Sequence, residues 1–376
     1  MSRPLKLPRL AGALLASAAA FGLAGNTVQP AHAADFAGKR IQILVPFSEG
    51  GGTDSWTRMM APYLEKKLPG NPKVLIVNRP GAAGITGANY FQEKAPKDGT
   101  WIFALSVSTA LNYALRDPKF KTKFEDYHPV LNSPRGSVIF SRKELGLQDA
   151  KDIKGKIEKL KSYPPEKLPM GGRTPTSVDL LYMVALTLLG VEVKSVWGLG
   201  GTGPMALGFE RGEFMLMGEN ALAFQRLRKH MIDDGTANPL FTWGNYDENG
   251  KYGRDPAMPQ LPSFLEVYEA VSGKKPAGPG VDAWKALHGL DVPMNKSLLL
   301  HPDTPKDAVE TWVKAVREML ADQEFRTKAE PEFGPYPQIV GDAVRPIMQT
   351  SFAIPPDARA WLAKYVKSRY DVDLPQ

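Results

Sequence analysis

The chain has 376 residues, 43% of them hydrophobic and 23% charged, with a formal net charge of +7, 35 glycines and no cysteine. That length suits two α/β domains better than one core, and the missing thiols exclude disulfides, a cysteine nucleophile and lipid attachment through an N-terminal cysteine. The positive charge is spread along the chain without a basic block, which excludes the usual nucleic-acid footprint and leaves a mild attraction for anions such as carboxylates.

Residues 1–33 read as an export signal. Arg3, Lys6 and Arg9 precede a small apolar run from Leu10 to Leu23, and Ala31-His32-Ala33 forms a small-x-small cleavage site. The run is too short and too rich in Ala and Gly to span a membrane well. No Arg-Arg pair precedes it, so cleavage near Ala33 after general secretion is expected. Removing Arg3, Lys6 and Arg9 lowers the formal charge from +7 to +4.

Strand-type apolar runs then recur at 41–45, 74–77, 101–105, 137–140, 193–197, 214–218, 240–243 and 297–300. Helical patterns lie at 54–68, 83–95, 176–190, 203–211, 221–231, 263–272, 306–320 and 356–369. This alternation predicts two α/β units built on parallel sheets with helices on both faces. Two polar, Pro-rich stretches, 161–169 and 244–259, read as peripheral, the second as a long surface insertion.

Two Gly-rich loops carry the strongest chemical signal. The segments IQILVPFSEGGGTD (41–54) and VLIVNRPGAAGITG (74–87) each run from a strand into a helix. Such a turn leaves backbone N–H groups at a helix N-terminus, a ready seat for an anion. Two of them ending adjacent strands would stand on one sheet edge, where α/β proteins bind ligands. The same glycines also serve tight turns and close helix–strand packing.

In the first loop the candidate ligand contacts are Phe47, Ser48, Gly50, Gly51, Gly52 and Thr53. Asp54 either joins them or caps the following helix. Gly81 and Ala82 form the second seat. Ser106 ends a strand at the same edge and either touches ligand or only terminates the strand. From the second half of the chain Arg173, Thr174, Thr176 and Ser177 gather hydroxyls and a guanidinium fork at a helix start, the equipment a carboxylate needs. Arg173 is the best single charge partner, with pairing to Asp179 or solvation of a loop as its alternatives. Trp197 beside the loop containing Gly201 and Thr202 offers an apolar wall, or else packs in the core.

No catalytic constellation is present. The chain lacks a His-Glu-x-x-His helix and a Gly-x-Ser-x-Gly elbow, and His128, His230, His288 and His301 are not at metal-ligand spacing. Gly81-x-x-Gly84-x-x-Gly87 departs from the dinucleotide fingerprint and no acidic residue follows at the ribose-reading distance. No cofactor and no metal are expected.

The motif V-P-F-x-x-G-G-x-T-D (Val45 to Asp54), then N-R-P-G-A-x-G (Asn78 to Gly84), then Asp98-Gly99-Thr100, resembles the Bug-type solute-binding proteins of tripartite tricarboxylate transporters. Later stretches match more thinly: Tyr127 to Val130, Gly171 to Ser177, Gly201 to Gly212, Pro262 to Glu266 and Pro302 to Pro305. The resemblance implies an α/β, two-domain type II periplasmic-binding-protein fold with a ligand cleft between domains. Residues 34–134 and 244–376 would form the first domain and 135–243 the second. It implies a periplasmic monomer that captures a small aliphatic or aromatic di- or tricarboxylate for membrane transporter subunits, with no catalysis and no nucleic acid. A ligand-presenting partner of a membrane sensor kinase and a secreted α/β enzyme with an unrecognised site are the alternatives. The chain departs from the family pattern at Val77 (usually Glu), Leu199-Gly200 (usually Tyr-Lys), Met215 (Asp) and Asp179 (often His). These departures put the usual ligand in doubt while leaving the fold intact.

Overall fold

Ile41, Ile43, Leu44 and Val45 are all fully buried, so the first strand is covered on both faces, as in a sheet sandwiched between helices. This computed structural model describes residues 34–246 and 251–375; the export-signal reading of residues 1–33 lies outside them. The chain begins with β1 (Arg40–Val45), α1 (Gly52–Lys67), β2 (Lys73–Asn78), α2 (Ile85–Lys94), β3 (Trp101–Ser106), α3 (Val107–Ala114) and β4 (His128–Ser133). It continues with β5 (Ser137–Arg142), α4 (Ile153–Lys161), β6 (Pro169–Gly171), α5 (Asp179–Leu188), β7 (Lys194–Val196), α6 (Thr202–Glu210), β8 (Leu216–Asn220), α7 (Ala221–Leu227), α8 (Lys229–Asp233) and β9 (Ala237–Thr242). A hairpin of β10 (Asn245–Tyr246) and β11 (Tyr252–Gly253) precedes α9 (Phe264–Ser272), α10 (Pro279–Asp291) and β12 (Lys296–Leu300). The chain closes with α11 (Lys306–Ala321), α12 (Gln323–Phe333), β13 (Ile339–Val340), α13 (Arg345–Phe352) and α14 (Pro356–Tyr370).

Two larger sheets result, one ordered β13-β4-β12-β3-β1-β2 and the other β7-β6-β8-β5-β9. The sequence predicts parallel sheets, and the structure corrects this. β1 runs parallel to β2 and β3, but β12 lies antiparallel between β3 and β4. The second sheet repeats the device: β6 runs parallel to β7 and β8, while β5 lies antiparallel between β8 and β9. β13 also runs antiparallel, at the edge of the first sheet. In each sheet the interior reversed strand, β12 or β5, is the one that arrives from the other sheet. It therefore begins at the edge where its neighbours end, which decides what lines the site.

A proline sits in the strand beside each reversed strand, Pro129 in β4 and Pro239 in β9, and the register shifts at both. A proline cannot donate to the ladder, so the irregularity absorbs it. The surface reading of the 244–259 stretch is corrected in part: Tyr246, Lys251, Gly253 and Arg254 are exposed, but the stretch is anchored inside the molecule. Asp255 and Met258 in it are buried. The Asp255 carboxylate accepts hydrogen bonds from Tyr336 Oη at 2.6 Å and the Ala257 N–H at 2.9 Å. It packs so closely on the β4–β5 connection that a β-carbon at Gly136 would lie 1.6 Å from its Oδ2. Only glycine fits there.

Helix α1 buries Trp56, Met60, Tyr63 and Leu64, a one-face stripe at helical spacing, against a core that includes Trp312. Each such side chain contributes about 1.5–3 kcal/mol when taken from water. Among the described residues, no helix is long and apolar enough to cross a membrane.

Candidate functional site

The C-terminal edges of the two sheets face a shared cleft of about 700 Å³. Its first wall is the β1–α1 loop. Phe47, Ser48, Gly50, Gly51, Gly52 and Thr53 all line the cleft. Gly50 takes φ +74°, a conformation that favours glycine. Asp54 does not line the cleft. Its carboxylate lies beneath the loop and accepts from the Gly50 N–H (2.8 Å), Arg58 Nε (2.9 Å) and Asn78 Nδ2 (3.0 Å). Asn78 Nδ2 also reaches the Phe47 carbonyl at 2.9 Å. Burial works against the Asp54 charge, but donation from Arg58, Gly50 and Asn78 outweighs it and holds the carboxyl below its ordinary range. Asp54 shapes the seat from behind.

Three helices open into the cleft with no side chain capping their first turn. They are α1 after Gly51, α3 after Ser106 and α6 after Gly201. An uncapped first turn presents N–H groups without intrahelical partners and the positive end of the helix dipole. Ser106 and Ser108 line the same wall, and Gly201 and Thr202 line the opposite one.

The second Gly loop is placed differently. Pro80 lines the cleft, while Gly81 and Ala82 are exposed beside it. Ala82 and Ala83 both adopt left-handed φ, 46° and 52°, which is strained for residues with a β-carbon. Gly84 follows at φ +98°, where a β-carbon would lie 2.0 Å from Thr109 Oγ1. Arg79 stacks on the Tyr90 ring at 3.9 Å, which holds this loop against α2.

Arg173 lines the second wall and is already engaged. Its Nη1 and backbone N–H donate to Asp179 (2.7 and 2.8 Å), and its Nη2 donates to Thr202 Oγ1 at 2.7 Å. Ser177 donates to the Thr174 carbonyl and to Asp179. Thr174, Thr176 and Ser177 do not line the cleft, and Thr174 and Ser177 brace the Arg173 loop from behind. Trp197 is also outside it. The indole covers Gly172, where a β-carbon would lie 2.3 Å from the ring, and meets Tyr370 edge-on at 5.1 Å. With Tyr365 and Tyr370 it lines a separate cavity of about 290 Å³.

Sequence reasoning missed the charged end of the cleft. Arg135, Arg226, Asp291, Lys296 and Glu332 all line it. Glu332 on α12 accepts from Arg135 Nη2 at 2.7 Å and from Arg226 Nη2 at 2.6 Å. Arg228 forms a two-pronged pair with Glu219 at 3.0 and 3.2 Å. Burial still lifts the Glu219 carboxyl above its ordinary range, against the pull of Arg228. Arg135 stands in the β4–β5 connection and Lys296 opens β12; a lone cation at the head of a strand that otherwise holds one serine and three leucines was the available signal. Among the described residues no three His, Asp or Glu side chains could hold a metal ion together.

Asp291 titrates unusually. Burial pushes its carboxyl up to about 6, although Ser137 Oγ and Trp243 Nε1 each donate to it at 3.0 Å. A raised carboxyl binds its proton more tightly in the folded state, so its contribution to stability falls as pH rises from the unfolded value of 3.8 through about 6. We expect the stability of Asp291→Asn relative to wild type to rise by about 2–3 kcal/mol across that window and then level off. Denaturant unfolding at several pH values reads this directly; a flat difference would place the Asp291 titration in the ordinary range.

No protein-family model matches the chain. It is 30% identical over 151 residues to the UPF0065 protein in gbd 5'region of Cupriavidus necator, covering 38% of this chain and 45% of that one. It is 34% identical over 102 residues to Protein BugT of Bordetella pertussis, covering 27% and 30%. The chain thus spans less than half the length of these curated relatives. In structure it is similar to Rpa4515 of Rhodopseudomonas palustris solved with adipate, with a TM-score of 0.62, 21% identity and coverage of 89% and 98%. It is also similar to MatC of the same organism with bound malate, with a TM-score of 0.58, 18% identity and coverage of 86% and 97%. At these identities the structural likeness is one of fold.

Proposed function

We propose, from the premise that this chain is a Bug-type solute-binding protein in its motifs and its fold, that it captures a small carboxylate in the cleft between its two sheets. The observation that carries this reading is the convergence of three uncapped helix N-termini, α1, α3 and α6, on one cleft of about 700 Å³. The proposed contacts on the first wall are Phe47, Ser48, Gly50–Thr53 and Ser106, with Gly201, Thr202 and the free N–H groups of Arg173 on the second. Gly81 and Ala82, exposed next to the cleft-lining Pro80, are the proposed contacts from the second loop. The reading divides the chain into residues 34–134 with 244–376 and residues 135–243, the two halves closing on each other. It places a monomeric protein in the periplasm, binding without chemistry and delivering its ligand to the membrane subunits of a tripartite tricarboxylate transporter.

Thermal-shift measurement against aliphatic and aromatic mono-, di- and tricarboxylates tests the binding step. A true ligand raises the melting temperature by mass action, by about 2.7 kcal/mol of stability at a hundredfold excess over Kd. A panel with no stabilising carboxylate would reject the reading. Deleting the gene and following uptake of the labelled ligand tests the delivery step. Unchanged uptake with a lost transcriptional response would favour the sensor-kinase partner instead.

A further inference from the structure

Lys296 is buried in a way that the carboxylate reading alone does not require. It is the first residue of the reversed strand β12, opposite Ser106 of β3 and Ser133 of β4. Because β12 runs against its neighbours, its first residue stands at their C-terminal edge, inside the cleft. The side chain is 7% exposed, lines the cleft, and among the described residues makes no hydrogen bond or ion pair through Nζ. Nζ lies 3.9 Å from the point that a β-carbon on Gly52 would occupy, beside the uncapped first turn of α1. A nearly buried ammonium with no partner is costly unless something anionic completes it.

The surrounding charges do not complete it. Asp291 at the end of α10, Glu332 on α12 and Arg135 on the β4–β5 connection are the charged groups around it. Glu332 is already shared by Arg135 and by Arg226 of α7. Asp291 accepts from Ser137 and Trp243. Asp54 of α1 is turned away beneath its loop, paired with Arg58. Arg135, itself 6% exposed, has an Nε without a partner. Three cations thus stand against two carboxylates at this end of the cleft.

We propose that the Lys296 ammonium is the direct ion-pair partner of a carboxylate seated on the open N-terminus of α1, with Arg135 as the second cation behind it. This rests on the carboxylate reading and deepens it: the seat holds charge against charge, not only amides and hydroxyls. In the empty cleft, burial and then the Arg135 charge hold the Lys296 ammonium well below the ordinary lysine range, partly offset by Glu332 and Asp291. A carboxylate alongside favours the charged form, so binding draws a proton onto Lys296 wherever the unliganded amine is not already fully protonated.

Calorimetry with malate, adipate and benzoate on wild type, Lys296→Met and Lys296→Arg tests this, run in buffers of different ionisation enthalpy. The expected result is proton uptake on binding by wild type, and a loss of about thirtyfold or more for Lys296→Met with no uptake. Lys296→Arg should retain most of the affinity, also without uptake, because arginine stays charged. Unliganded Lys296→Met should melt above unliganded wild type, since it removes a buried amine whose protonated form the fold disfavours, and this establishes that the variant folds. If wild type binds and Lys296→Met binds within about threefold with the same uptake, the ion pair is overturned and the carboxylate reading stands. If wild type binds none of these three and no member of the wider carboxylate panel, both are rejected.

Discussion

Glu332→Ala is expected to lower the unfolding free energy by about 3–5 kcal/mol, because it strands Arg135 in the interior. The Arg135 side chain is only 7% exposed, and Glu332 is its one ion-pair partner within 4.0 Å among the described residues. Glu332 also holds Arg226 of α7, so one carboxylate on α12 fastens the β4–β5 connection and a helix beside the second sheet. The Arg226 half is 41% exposed and contributes little by itself. Burial opposes the charge on Glu332, but Arg135 and Arg226 outweigh it and hold the carboxyl below its ordinary range. Its contribution is therefore present above the ordinary Glu range and lost as pH falls through the depressed value. Denaturant unfolding should show the gap between wild type and Glu332→Ala narrowing in acid. The double variant Arg135→Met/Glu332→Ala should regain much of the loss, since no charge is left stranded. A double variant no better than the single one would sink this account.

Asp54→Ala should cost about 3–4 kcal/mol and weaken carboxylate binding by at least about tenfold. The buried carboxylate accepts three hydrogen bonds, and removing it leaves the Gly50 N–H, Arg58 Nε and Asn78 Nδ2 without that acceptor. The loop from Phe47 to Thr53 then loses the strut that fixes its amides. Asp54→Asn keeps one carbonyl oxygen and should fall between wild type and Asp54→Ala. The depressed Asp54 carboxyl implies that the stability it brings disappears as pH falls below the ordinary Asp range. Calorimetric affinity and thermal unfolding, measured on the same samples, separate loss of seat from loss of fold. An Asp54→Ala protein that binds as wild type does would show that the loop keeps its shape without Asp54.

Several elements were hidden in the sequence for identifiable reasons. α3 begins where β3 ends, with no turn residue between Ser106 and Val107, so the two read as one apolar run. α12 contains Pro331, a residue that reads in sequence as a helix breaker. α10 carries glycines at 280 and 289, and β6 is only three residues long. The missed β4 contains Pro129, which a strand accepts only with the register shift found there.

The Gly-rich loops after β1 and β2 were legible because strand–turn–helix geometry is local: backbone conformation and capping act over a few residues and leave their mark in adjacent positions. The sequence by itself therefore determined the α/β class, the Gly-rich loop at Ser48–Thr53 that lines the cleft, the loop holding Arg173 and the absence of any thiol chemistry. Only the tertiary structure decided that Asp54 braces the seat from beneath, that Trp197 packs on Gly172, and that Arg135, Lys296 and Glu332 meet at one end of the cleft. Those three residues are far apart in the chain, and they converge because β12 enters its sheet reversed. Strand direction is set by long-range packing and by where the chain crosses between sheets, and no short window of sequence encodes either.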